Sequence, residues 1–100
     1  LQHLKDPQKA LREMVRVTVP GGRIVVYDTD WGTLTIDAAN ELKETTEEIC
    51  RVLVNGIAHG WIGRRLQPLF QMVGLKEIEV IPVTGIIPTY ELARKIFFLD

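Results

Sequence analysis

Hydrophobic and polar positions in this chain change their spacing several times, and each change marks an element. Between Asp6 and Arg16, the apolar Ala10, Leu11, Met14 and Val15 recur at helical spacing. Gln8, Lys9, Arg12, Glu13 and Arg16 fill the solvent side. Asp6 is placed to accept a backbone hydrogen bond as N-cap, and Pro7 has its φ pre-set for the first helical position. Pro20-Gly21 suits the central positions of a type II turn, because Pro fixes φ and Gly tolerates positive φ. Ile24-Val25-Val26-Tyr27 is then apolar without alternation, as in a strand covered on both faces. Asp28 and Asp30 follow where that strand should end. In open α/β sheets, ligands bind just beyond the carboxyl ends of the strands.

A short loop, Gly32-Thr33-Leu34, precedes a second helix that Thr35 or Asp37 can cap. Ala38, Ala39, Leu42, Ile49, Val52, Leu53 and Ile57 form its apolar stripe, opposite Lys43, Glu44, Glu47 and Glu48. It should be the longest element, weakened by Gly56 in its last turn and stopped by Gly60. A third helix is predicted from about Gly63 to Val73, with Leu66, Leu69, Phe70 and Val73 inward. Pro68 costs about 3 kcal/mol in a helix interior, which predicts a late start or a kink. Gly74 closes this helix. Glu77-Ile78-Glu79-Val80-Ile81 reads as a second strand with one wetter face. A loop from Val83 to Pro88 leads to Thr89, which can cap a final helix, Tyr90 to Phe98, with Ala93, Ile96 and Phe97 inward. The order helix-strand-helix-helix-strand-helix is an α/β pattern. No repeat, low-complexity tract or linker divides the chain, so residues 1–100 read as a single partial domain.

The composition, 46% hydrophobic and 25% charged, is that of one small globular unit. A net charge of -1 offers no electrostatic footprint for nucleic acid or an anionic membrane. No apolar run approaches the ~20 residues that cross a bilayer, and LQHLKDPQ lacks the basic start and apolar core of a signal peptide. Cys50 stands alone, so no internal disulfide is expected. Its setting, EEICRVLV, reads as an inert thiol packed on a helix, in keeping with a reducing, cytoplasmic location. A chain opening on Leu1 in mid-motif reads as a cropped, proteolysed or truncated part of something longer.

The segment LQHLKDPQKALREMVRVTVPGGRIVVYDTDW resembles the second-half signature of class I S-adenosylmethionine-dependent methyltransferases, especially the branch that methylates small molecules and quinone precursors. In that family a Leu-Gln-His-Leu or similar segment follows the fourth strand. A Glu- and Arg-rich helix then leads through Pro-Gly-Gly to a fifth strand ending in acidic and aromatic residues. GWIGRRLQPLFQMVGLKEIEVIPV is similar, more loosely, to the family's later helix and sixth strand. The resemblance implies the C-terminal part of a Rossmann-like sheet, incomplete as an isolated domain. The family's seventh, antiparallel strand would come after Asp100. It further implies S-adenosylmethionine as cofactor, with Gln2 and His3 beside its methionine end. A small-molecule methyl acceptor would meet Asp28, Asp30 and Trp31. The family's glycine-rich cofactor loop and ribose-binding acid lie in its first half and do not occur here, which implies no activity for the chain alone. Two rivals remain: a non-catalytic methyltransferase-like module kept for dimerisation or partner binding, and an unrelated α/β binding domain. Unpaired strand edges predict a homo-oligomer or a strand-exchanged dimer.

Residue by residue, Asp28 and Asp30 can accept hydrogen bonds from a substrate amine or hydroxyl or act as general base, or else merely cap the following turn. No single catalytic residue is fixed between them. Trp31 supplies a flat wall that can attract a sulfonium charge, or simply packs. His3 and His59 have no partner at ligand spacing, so no metal site is expected. Gly21-Gly22 precedes a strand rather than opening a helix, which makes it a turn and not a phosphate loop. Arg64 and Arg65, with Trp61 and His59, form either a basic-aromatic patch for an anionic substrate or pairs with Glu47 and Glu48. The pairing is the favoured expectation. Met72 and Phe97 read as core or interface apolars.

Overall fold

The computed structural model describes residues 1–97. Helix α1, Pro7–Val17, begins as its sequence dictates: the Asp6 carboxylate accepts the Lys9 N–H at 3.0 Å, and Pro7 occupies the first turn. Leu11 is fully buried, and Ala10, Met14 and Val15 are half-buried. The helix is followed by the expected tight turn. Gly22 N–H donates to the Val19 carbonyl at 2.8 Å, and Gly21 has φ 81°, a value that type II geometry reserves for glycine at this position.

A 3-10 turn at Trp31–Thr33 and another at Asn40–Leu42 precede α2, Lys43–Asn55, which is the longest helix. Neither Thr35 nor Asp37 caps it. The N-cap is Leu42, with no side-chain hydrogen bond, because the 3-10 turn delivers the chain into the helix directly. Leu53 and Ile57 of the expected stripe are half-buried, but the face is rotated towards Val54, which is buried, and Cys50, which is half-buried, while Ile49 and Val52 face solvent. Helix α3, Ile62–Met72, carries Pro68 in its interior without the expected late start. The missing Pro68 N–H leaves the Arg64 carbonyl without its helical donor. Leu66, Leu69, Phe70 and Val73 are half-buried, as the periodicity predicts. Helix α4, Tyr90–Ile96, is capped by Thr89, whose Oγ1 accepts the Leu92 N–H at 3.2 Å. Ala93 and Phe97 are half-buried, Ile96 is exposed, and Phe98 lies outside the described residues.

The expected α/β sheet is the main correction. Among the described residues there is no β-strand, so the Rossmann-like architecture is not what this chain forms. Residues 23–30 keep one trace of strand character. Ile24, Val26, Asp28 and Asp30 are half-buried while Arg23, Val25, Tyr27 and Thr29 are exposed, the period-two pattern of a pleated chain covered on one side. A ladder also needs a second backbone about 4.8 Å away. Among the described residues no backbone N–H of 23–30 finds another backbone carbonyl. Over residues 77–81 the reason is local. Glu77 has φ 54°, in the left-handed region that interrupts a pleat.

Without a sheet the buried apolar side chains among the described residues are few: Leu11, Val54 and Ile62, one from each of α1, α2 and α3. The radius of gyration is 16.5 Å, against about 13 Å for a compact domain of this length. The chain extends over 54 × 23 × 23 Å. No helix among the described residues is long and apolar enough to cross a membrane.

One close approach organises what core there is. A Cβ added at Gly63 would lie 2.5 Å from the Asp30 nitrogen and 2.7 Å from the Thr29 carbonyl carbon, so only glycine lets α3 rest on that backbone. Gly63→Ala should therefore lower stability by about 1–3 kcal/mol despite alanine's better helix propensity. Gly56→Ala, whose added Cβ would meet nothing closer than 3.4 Å, should be neutral or stabilising. Urea denaturation followed by circular dichroism distinguishes them, and equal effects would show that the close approach is not limiting.

Candidate functional site

The residues singled out from sequence fall at one corner of the molecule, where residues 28–31 meet the N-terminal segment and the start of α3. Trp31 is fixed at three points. Its N–H donates to the Gly60 carbonyl at 2.8 Å, its indole Nε1–H donates to Gln2 Oε1 at 2.9 Å, and its ring meets Phe97 at 5.6 Å between centroids, tilted by 56°. Gln2 is equally committed. Its amide nitrogen lies 3.1 Å from His3 Nε2, and its carbonyl accepts the His59 N–H at 3.0 Å. His3 itself is exposed.

Asp30 has both carboxylate oxygens occupied. Oδ1 accepts the Gly32 N–H at 3.2 Å, capping the 3-10 turn, and Oδ2 accepts from Arg64 Nε at 2.7 Å. Its side chain is 19% exposed and that of Arg64 is 49% exposed, so the ion pair is solvent-screened and orients more than it stabilises. Arg64 is thus spent on Asp30, and Glu48 pairs with Arg51; the expected pairing of Arg64 and Arg65 with Glu47 and Glu48 does not form. The hydrogen bond and charge of Glu48 hold the Arg51 guanidinium above its usual pKa.

Asp28 differs from Asp30. Its side chain is 9% exposed, and Oδ2 stands 3.1 Å from the Leu1 ammonium without the geometry of a directed hydrogen bond. A buried carboxylate oxygen lacking a hydrogen-bond donor is costly, and it marks where a donor group would be welcomed. Trp31 also lines a cavity of about 200 Å³ with Leu34, Cys50, Val54 and Trp61. A second, larger cavity of about 620 Å³ lies between the starts of α1 and α3. Cys50 is a free, half-buried thiol in the wall of the smaller one. Among the described residues no three His, Cys, Asp or Glu side chains gather as they would around a metal ion.

Three partners were not foreseen from sequence: Gln2 for Trp31, Arg64 for Asp30, and the segment His59-Gly60 that ties both to the N-terminus. The spacing Gly60-Trp61-Ile62-Gly63 held the available signal, because two glycines three apart at a helix start permit close backbone contact.

Comparison with known proteins supports a methyltransferase-like function for this region. Residues 1–26 match the family described as Methyltransferase domain, from Gln2 and His3 through α1 and the turn to Val26. Over its whole length the chain is 35% identical to the "Uncharacterized 37.1 kDa protein in transposon TN4556" of Streptomyces fradiae, and it spans 29% of that relative's length. No solved structure matches.

Gln2→Ala would leave the half-buried Trp31 indole N–H without its acceptor. We expect a loss of about 1 kcal/mol, and roughly fivefold faster exchange of that N–H in NMR, with the Trp61 indole unchanged. Equal exchange in both proteins would mean that Gln2 does not hold the ring.

Proposed function

We propose that the chain forms the acceptor-side wall of an S-adenosylmethionine-dependent methyltransferase acting on a small molecule, with Asp28 as the group that meets the ligand. The observation that carries this is the buried Asp28 Oδ2, which has no directed donor and lies three residues before an indole fixed in place. The methyltransferase-domain match over residues 1–26 supplies the class of reaction.

The described residues fit the cofactor at one end only. At that end the buried Asp28 Oδ2, which lacks a directed donor, suits a hydrogen-bond-donating group of the ligand, and Gln2 and His3 lie in the stretch that the methyltransferase-domain match covers. Gln2 serves through position, since its amide is engaged by Trp31 and His3. When bound, the cofactor supplies a methyl group activated on a sulfonium, and the protein's task is then alignment and exclusion of water. Asp28 accepts a hydrogen bond, or the proton of an acceptor hydroxyl or amine, at Oδ2. Asp30 keeps the turn closed and is a positioning residue rather than a base, because both its oxygens are already engaged. Trp31 presents a flat wall whose orientation Gln2 sets.

Titration of S-adenosylhomocysteine into the chain should shift the amide signals of Gln2, His3 and Asp28 in NMR, with millimolar affinity and no methyl transfer by the chain alone. Asp28→Asn should weaken that binding about tenfold. Shifts confined to other residues, or full binding by the Asn variant, would remove Asp28 from the role.

A dimerisation role is a second reading, favoured by the apolar side chains left in water. Val25 is 85% exposed, Tyr27 79% and Ile86 82%. A second copy of the chain is the partner we propose for these exposed side chains. Sedimentation equilibrium should give twice the chain mass, reverting to the monomer when Tyr27 and Ile86 are both changed to Lys. A monomer at all concentrations would exclude this reading.

A further inference from the structure

We infer that the cavity between the starts of α1 and α3 is a binding site for a small, singly charged organic carboxylate with an apolar body. Its volume, about 620 Å³, lies within the roughly 300–1,000 Å³ range of small-molecule sites. Lys5, His59 and Arg65 line it together with Trp61, Leu69 and Asp6.

The charges in this wall are unevenly spent. Among the described residues neither cation of the wall, Lys5 or Arg65, has an acidic partner, although the adjacent Arg64 is spent on Asp30. The one acid in the wall, Asp6, directs Oδ1 to the Lys9 N–H at 3.0 Å as the cap of α1. Two fixed cations against one capped acid leave a single positive charge before His59 is counted. That balance suits a monoanion better than a phosphate dianion. The planar fork of Arg65 matches two carboxylate oxygens, and Lys5 adds a point charge. Trp61 and the half-buried Leu69 offer apolar surface for the rest of the ligand. The arrangement borders the Asp28 corner through the backbone of His59 and Gly60, which bonds to Gln2 and Trp31, but none of its six side chains is Gln2, His3, Asp28, Asp30 or Trp31.

Benzoate is a suitable probe, with benzamide as its neutral counterpart and inorganic phosphate as the alternative anion. Calorimetric titration of the full chain should show benzoate binding at least about tenfold tighter than benzamide or phosphate, the difference expected for one charge-assisted contact. NMR should place the benzoate-induced shifts at Lys5, at residues 58–62 and at Arg65. Arg65→Met should weaken benzoate about tenfold, and Lys5→Met should do so less strongly. Arg12→Met, on the exposed side of α1, should leave it unchanged. Lys5→Met keeps the test open should Arg65→Met fail to fold, which the dispersion of the NMR spectrum reports. Equal binding of benzoate and benzamide, tighter binding of phosphate, shifts centred elsewhere, or no benzoate binding at millimolar concentration would each overturn the inference. Because the Asp28 corner is probed by S-adenosylhomocysteine instead, the two sites can fail separately.

Discussion

The contact between Gly63 and the Thr29–Asp30 backbone is the constraint from which the rest of the corner follows. It sets α3 directly against the chain where residues 23–30 end. That proximity brings Arg64, the next residue, to Asp30, and places the Gly60 carbonyl in front of the Trp31 N–H. The N-terminal segment then closes over the same point through Gln2, which receives one hydrogen bond from an indole and one from the His59 backbone. None of these links is strong alone. Together they define one orientation for Trp31 and leave Asp28 as the acid whose buried Oδ2 has no directed hydrogen-bond donor.

Much of the helical content could be read from the sequence because its causes are local. Asp6, Pro7 and Thr89 act within one turn of the helix they start, and Pro20-Gly21 closes its turn with its own backbone. The sheet could not be read in the same way. Ile24 to Tyr27 states a preference for a pleated backbone, but a strand exists only with a neighbour, and no apolar run names its partner. Glu77 shows the converse limit: a residue with no marked aversion to strands takes a left-handed φ that ends one. The rotation of α2 has a similar origin. Its stripe was counted from Ala38, but the 3-10 turn resets the phase, so Cys50 and Val54 turn inward instead of Ile49 and Val52.

The candidate site divides along the same line. Asp28, Asp30 and Trp31 were singled out as the residues at the carboxyl end of a strand, and they still come together at one corner although that strand does not form. What separates them is tertiary. Asp30 is occupied by a residue 34 positions away, and Trp31 by one 29 positions away. Sequence spacing carries no information about such pairs. Arg64 and Arg65 make the point most clearly, since adjacent residues of the same type have different fates: one neutralises Asp30 and the other borders a cavity.

Pro68 gives α3 an uneven grain. The ring removes the amide that would have tied the second turn back to the Arg64 carbonyl, so the helix is stitched less tightly in the middle than at its start. Its far half, with Leu69 and Phe70 half-buried and Met72 exposed, depends on packing more than the near half, which is pinned on Asp30. One helix is thereby held by hydrogen bonds at one end and by side-chain contact at the other.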